Sequence, residues 1–261
     1  MHIAAVGDLH CGRGSQPALQ AIFSAVGERA DVLLLLGDLT DWGMPEEAHA
    51  LAGAIARTVR APVIAVLGNH DYESGHADEV RRILTDTGVI VLDGEVHEIG
   101  DVAFVGAKGF AGGFGRRTLE PWGEVAMKAF VREALDEALK LESALAKARA
   151  GRRVALLHYA PIEATVAGEP REIYPFLGSS RLEDPLNRYQ VDLVFHGHAH
   201  RGSLEGRTTR GAPVYNVAAP LLRRTWPDRP PIRFVTLPEA PTPTLGADDD
   251  RPDTNRAPAR G

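Results

Sequence analysis

Aspartate, asparagine and histidine recur in this chain where short aliphatic runs stop. The runs close on Asp8 and His10 in GDLH, on Asp38 and Asp41 in GDLTD, and on Asn69, His70 and Asp71 in GNHD. Later ones close on His158 in LLHYAP and on His198 and His200 in VFHGHAH. Carboxylate, amide and imidazole donors without cysteine suit Mn²⁺, Fe or Zn²⁺ and disfavour a thiolate site. One tetrahedral zinc takes about four ligands, and the candidates outnumber that. Two ions sharing one carboxylate fit the supply, and such pairs sit roughly 3.5–4 Å apart.

Residues so distant in sequence need a fold that brings them to one place. HIAAVGD, DVLLLLGD, APVIAVLGNHD, RRVALLHYAP and VDLVFHGHAH each read as a strand buried on both faces. SQPALQAIFSAVGERA and PEEAHALAGAIARTV carry apolar residues at helical spacing. The alternation predicts β-α-β units with right-handed crossovers, and in an open α/β sheet ligands bind at the carboxyl ends of the strands. From Val89 to Gly106 the turn signals Asp93-Gly94 and Gly100-Asp101 predict an antiparallel meander. Lys108 to Glu124 is glycine-rich and predicts a long ordered loop. A helix follows, rich in Ala, Leu, Glu and Lys, whose apolar stripe packs on the body or on a second subunit. Residues 108–150 thus form a loop-plus-helix insertion and 162–187 a rim or lid, within a single domain spanning 1–237. The Pro- and Asp-rich stretch 238–261 predicts a disordered tail.

Bulk properties narrow the function. With 261 residues, 44% of them hydrophobic and 25% charged, the chain matches ordinary globular usage. The formal net charge of -6 and the lack of a long basic block do not point to nucleic acid, although binding remains open through the arginines of FGRRTLE and PLLRRTW. One cysteine, Cys11, excludes an intrachain disulfide. No apolar stretch is long enough to span a membrane, and a cytoplasmic location is the expectation.

Any one of the polar clusters is common by chance, but their order is specific. Asp8-Leu9-His10, Gly37-Asp38-Leu39-Thr40-Asp41, Gly68-Asn69-His70-Asp71, His158 and Gly197-His198-Ala199-His200 resemble the D-x-H, G-D-x-x-D, G-N-H-D, H and G-H-x-H signature of the calcineurin-like metallophosphoesterases. The resemblance implies an α/β fold, a four-layer α/β/β/α sandwich of two mixed sheets, with a binuclear metal centre that hydrolyses phosphoesters. It implies Asp8, His10 and His200 on one metal, Asn69, His158 and His198 on the other, and Asp38 between them. His70 would contact the substrate, and Asp71 would orient its ring through the other nitrogen. Two divalent ions carry about +4, which Asp8, Asp38 and a bridging hydroxide reduce to about +1, attractive to phosphate. Coordination lowers the pKa of water from about 15.7 to about 7, and the hydroxide would attack phosphorus in line. His70 would protonate the leaving oxygen, typically worth ~10²–10⁴-fold.

The resemblance is closer to the small bacterial-type phosphodiesterases and phosphatases than to the protein phosphatases. Protein phosphatases of the family carry an arginine after G-D-x-x-D, where this chain has Trp42. The expected partner is therefore a small phosphoester, with a phosphodiester of nucleotide type ahead of a monoester; a nuclease and a non-catalytic binding module are the alternatives, and the oligomeric state is not readable. Asn69, Tyr72, Arg116 and Arg117 are candidate substrate contacts, since a guanidinium can clamp phosphate bidentately. Asp41 is expected to cap the helix starting near Pro45, Cys11 to fill space, and His196 to be a packed neighbour of the ligands. Gly197 is expected to let the backbone turn so that His198 and His200 reach different metals.

Overall fold

The computed structural model describes residues 1–237 apart from Arg13 and Glu28; the expected disordered tail lies outside the described residues. The chain opens with β1 (His2–Val6), α1 (Gln16–Val26), β2 (Val32–Leu36), α2 (Pro45–Thr58), β3 (Val63–Val66), α3 (Ala77–Asp86) and β4 (Ile90–Val91). It continues through the hairpin β5 (Glu95–Ile99) and β6 (Val102–Gly106) to the long helix α4 (Val125–Lys147) and β7 (Arg152–Leu156). Two short helices, α5 (Tyr174–Leu177) and α6 (Glu183–Arg188), precede β8 (Leu193–His196). Next come β9 (Glu205–Arg207), β10 (Pro213–Asn216), α7 (Ala219–Thr225) and β11 (Arg233–Thr236).

The strands form two mixed sheets. The first has five strands in the order β11-β1-β2-β3-β4, and the second has six in the order β5-β6-β7-β8-β10-β9. β1 to β4 run parallel and β11 antiparallel. In the second sheet β6, β7, β8 and β10 are parallel, flanked by antiparallel β5 and β9. Alternation along β1 shows the layering: Ile3 and Ala5 face the second sheet, whereas Ala4 and Val6 face α1 and α2. Successive strand residues point to opposite faces, so one short run serves two cores.

Between the sheets Leu34, Leu36, Ile64 and Val66 meet Phe104, Val154, Leu156 and Phe195. At roughly 1.5–3 kcal/mol per fully buried side chain, this layer is the main force clamping the sheets together. The outer face of the first sheet is covered by the stripe Leu19, Ile22, Phe23 and Val26 of α1 and by α2 and α3. Leu141, Ala144 and Leu145 of α4 and Leu186 of α6 cover the outer face of the second. The layers are therefore helix, sheet, sheet, helix.

The meander expected from Val89 to Gly106 is corrected in part. Ile90 and Val91 pair parallel with Ile64 and Ala65 in the first sheet, and only β5 and β6 form the antiparallel hairpin, in the second. The Asp93-Gly94 turn thus carries the chain from one sheet to the other. Its Gly94 sits at φ +83, the left-handed region that glycine enters without steric cost.

Candidate metal centre

The carboxyl ends of both sheets meet at one rim. Gly7, just past β1, pairs with the chain after β10: its N–H donates to Val217 O and its carbonyl accepts from Ala219 N, both at 2.9 Å. The loops after β1 and β2 also run side by side, Asp8 N–H donating to Gly37 O at 2.9 Å and His10 N–H to Asp38 O at 3.0 Å. Asp8, His10, Asp38 and His198 adopt φ of 55, 44, 47 and 68, a region that costs non-glycine residues of order 1–3 kcal/mol each and clusters at functional sites. Every one of them is a predicted ligand.

The buried Asp71 carboxylate holds this first-sheet rim together. It accepts from Leu39 N at 3.2 Å, Thr40 N at 2.8 Å, Thr40 Oγ1 at 2.6 Å and Gly68 N at 2.8 Å. The expectation that Asp71 orients the His70 ring is therefore corrected: its oxygens are spent on the backbone of the two loops. His70 Nδ1 instead lies 2.7 Å from the carbonyl of Asp41. A carbonyl only accepts, so Nδ1 carries the proton and Nε2 is left available. Asp41 is not the cap of α2 either. Met44 stands at the N-cap, and its N–H and that of Trp42 donate to Glu47 in the first turn of the helix, while Asp41 Oδ1 stands 3.5 Å from His10 Nδ1.

On the second-sheet rim the rings are steered by groups remote in sequence. His158 Nδ1 donates to Leu36 O at 2.9 Å, across the gap between the sheets, and Nε2 donates to Asn69 Oδ1 at 2.9 Å. His198 Nε2 donates to Phe176 O at 3.1 Å, and the His198 amide donates to both oxygens of Asp8 at 3.0 Å. The fully buried His196 meets Gly197 O through Nδ1 and Thr165 Oγ1 through Nε2, each at 2.8 Å. It is a packed neighbour that ties the rim segment around Thr165 to the ligand loop. Gly197 serves close approach rather than turning: it is absent from the positive-φ residues, but a Cβ there would collide with the Asp8 carboxylate.

The ligand atoms converge in three groups, each within 4.8 Å: Asp8, His10 and His200; His10, Asp38 and His70; Asp38, His158 and His198. The first and last are linked through His10 Nε2, 3.8 Å from Asp38 Oδ2. Asp38 Oδ1 lies 3.3 Å from His158 Nε2 and accepts from His70 N at 2.9 Å. His200 Nε2 stands 2.9 Å from Asp8 Oδ1. A cation fits this donor set by a test independent of motif: His10 Nε2 is buried with no hydrogen-bond partner, and such orphaned atoms are rare unless something else satisfies them. Bulk would intrude as well, since a Cβ at Gly37 would strike the His158 ring.

Charge in the rim is shared between carboxylates and imidazoles. Burial works against the charge on His158, but the Asp38 carboxylate beside it outweighs that and raises its pKa to about 9. Asp38 is held well below the usual carboxylate range, its burial outweighed by the adjoining His158 imidazole and the His70 amide. Burial pushes His196 and His198 down to about 4, keeping both neutral. The proton on His158 occupies a position that a metal cation would take in exchange.

The tentative substrate contacts fall unevenly. Asn69 is inside the centre, at His158. Tyr72 is part-exposed with its ring 5.7 Å from the Lys108 ammonium. Arg116 and Arg117 are exposed on a short turn. Arg117 lines a groove with Phe114, Glu163, Arg171, Tyr174 and Pro175, which adjoins Phe176. Cys11 is buried, its thiol pushed up to about 11 by that burial, and packs in the core beneath α2. Sequence reasoning missed Lys108, Thr165 and the carbonyls of Asp41 and Phe176. Only Lys108 left a trace, as the cation that opens a glycine-rich loop.

Comparison with known proteins agrees with this geometry. The model of the calcineurin-like phosphoesterase family matches residues 1–202. A probable cyclic nucleotide phosphodiesterase of Rhodococcus erythropolis is 35% identical over 79 residues, 28% of this chain and 26% of that protein. A second protein so named, from Rhodopseudomonas palustris, is 27% identical over 65% of this chain and 56% of its own length. The matches thus span less than two thirds of either relative. The UDP-2,3-diacylglucosamine hydrolase of Klebsiella pneumoniae is 23% identical over 81% of this chain and 87% of that protein. In fold, the chain resembles the phosphopantetheinyl hydrolase of Mycobacterium tuberculosis, with a TM-score of 0.65 and 16% identity over 94% of this chain and 98% of the other. Among the described residues no helix is long and apolar enough to cross a membrane. Since the matched residues cover most of the chain and contain every ligand candidate, the chain belongs to the calcineurin-like phosphoesterase family, a family of metal-dependent phosphoester hydrolases.

Proposed function

We propose that the protein is a two-metal phosphodiesterase acting on small phosphodiesters of nucleotide type. The observation that carries this reading is Asp38, whose carboxylate lies between His10 at 3.8 Å and His158 at 3.3 Å and so joins two separate ligand groups. Asp8, His10 and His200 would hold one ion, Asn69, His158 and His198 the other, and Asp38 would touch both. Manganese, iron or zinc suits such a donor set. When bound, a pair of such ions supplies positive charge for the phosphoryl oxygens and acidifies water.

The chain's own groups then have distinct tasks. Asp41 fixes the His70 ring through Nδ1, so a protonated His70 would donate to the leaving oxygen through Nε2, a step typically worth ~10²–10⁴-fold. His200 and His198 are anchored to Asp8, one by its ring and one by its amide, which keeps the donors in place without reorganisation. Tyr72 and Arg117 would meet the substrate beyond the scissile phosphate. The diester preference draws support from the two relatives named as cyclic nucleotide phosphodiesterases.

Hydrolysis of bis-p-nitrophenyl phosphate tests the reading. Protein stripped of metal and resupplied with Mn²⁺ is expected to release p-nitrophenol, and a chelator to stop it. No hydrolysis of this or any aryl phosphoester with Mn²⁺, Zn²⁺ or Fe²⁺ would overturn it.

A further inference from the structure

Lys108 lies two residues past the end of β6, and His158 lies two residues past the end of β7, on strands paired in the register Gly106 to Leu156. The second-sheet rim therefore presents a lysine beside its first histidine. The Lys108 carbonyl accepts from His158 N at 3.0 Å and from Tyr159 N at 3.2 Å, which fixes the lysine against the metal centre. Its side chain is buried, only 8% of the residue being exposed. Lysine is almost never fully buried unless it is paired.

No buried carboxylate pairs with it. The ammonium donates to Gly109 O at 2.9 Å, and the one carboxylate within 4.0 Å among the described residues is Glu133, at 3.8 Å and half-exposed. Glu137, the buried acid of α4, is already engaged, accepting from Gly109 N at 2.8 Å and from Lys140 Nζ at 2.6 Å. An ammonium has three donors, and one is used. Aromatic rings stand close to it: the Phe110, Tyr159 and Tyr72 ring centroids lie 4.8, 5.5 and 5.7 Å from Nζ. Tyr159 also touches the metal centre, its ring centroid 4.4 Å from that of His198.

Metal cations held by the nearby ligand groups would repel the ammonium. An anion between the two would reverse that sign. We propose that Lys108, caged by Tyr72, Phe110 and Tyr159, binds a second anionic group of the substrate, a phosphate next to the scissile one. This assignment rests on the phosphodiesterase reading and deepens it, since the preferred substrates then carry at least two phosphates.

The test is binding, so it reads out whether or not the substrate is turned over. With Mn²⁺ in excess, calorimetry compares AMP with ADP and with adenosine 3′,5′-bisphosphate, which place the second phosphate near or one sugar away. The wild-type protein is expected to bind at least one of the two doubly phosphorylated ligands about tenfold or more tighter than AMP. Lys108→Gln keeps a donor for Gly109 O without the charge and is expected to reduce that ratio to within about twofold, while Lys108→Arg retains most of it. No preference in the wild type, or a preference that survives in Lys108→Gln, would overturn the assignment. Failure of the phosphodiesterase reading would appear separately, as absent hydrolysis of bis-p-nitrophenyl phosphate with the Lys108-dependent preference intact.

Discussion

On the first-sheet rim, Asp8, His10 and Asp38 leave their strands in left-handed backbone and are pinned largely by main-chain hydrogen bonds. On the second-sheet rim, His158, His196 and His198 are steered through their ring nitrogens by Leu36 O, Thr165 Oγ1 and Phe176 O. The first half stores its geometry in strained local backbone that the surrounding fold must hold. The second half takes its ring orientations from groups remote in sequence, one of them the Leu36 carbonyl at the end of β2. One rim thus sets its donors largely through its own backbone and the other through partners on distant elements, His198 combining both.

Breaking the junction of the halves is expected to have the largest effect. Asp38→Asn keeps an oxygen for the His70 amide but removes the charge next to His10 and His158, and should lower kcat/KM by about 10³-fold or more. Metal content measured on the same variant should fall with it. A loss under tenfold would show that the halves do not share a carboxylate.

Asp71 tests the first-sheet rim alone. Asp71→Ala strands four donors in a buried loop crossing, an expected cost of about 3 kcal/mol, read as a fall in Tm of roughly 10 °C. Its effect on the pH profile of kcat should be small, because the carboxylate does not hold the His70 ring. A shifted profile with unchanged Tm would return Asp71 to the orienting role.

The smallest effect separates the imidazoles by sign. His158 is raised to about 9, so its contribution is fully present below pH 6.5, the unfolded value, and is lost as pH rises toward 9. His196 and His198 are lowered to about 4, so theirs is present above 6.5 and is lost as pH falls toward 4. In a chelator, denaturant titrations should show stability falling on both sides, by on the order of 1 kcal/mol or more. Mn²⁺ should remove the alkaline arm by taking the place of the His158 proton. An alkaline arm unaffected by Mn²⁺ would contradict that exchange.

The two halves also differed in how openly the sequence declared them. GDLH, GDLTD and GNHD are short and contiguous, so their donors and the strands beneath them were readable from the aliphatic runs alone. The β-α-β units followed from the same runs, and the sandwich from the family resemblance. What escaped depends on tertiary neighbours. Nothing local marks the carbonyl of Phe176 as the partner of His198, or the carbonyl of Asp41 as that of His70. Lys108 reads as a surface lysine until Tyr72, Phe110 and Tyr159 are folded around it. Val89 to Gly106 looked like one meander because both of its halves are short β runs with turn signals. The assignment of Ile90 and Val91 to the first sheet depends on α3 returning the chain beside β3.

The account turns on Asp38 joining two metal positions, and anomalous diffraction from crystals of the Mn²⁺-loaded protein tests this most directly. The expected result is two manganese peaks flanking the Asp38 carboxylate, one bounded by Asp8, His10 and His200 and the other by Asn69, His158 and His198. A single peak, or peaks that leave Asp38 uncoordinated, would contradict it.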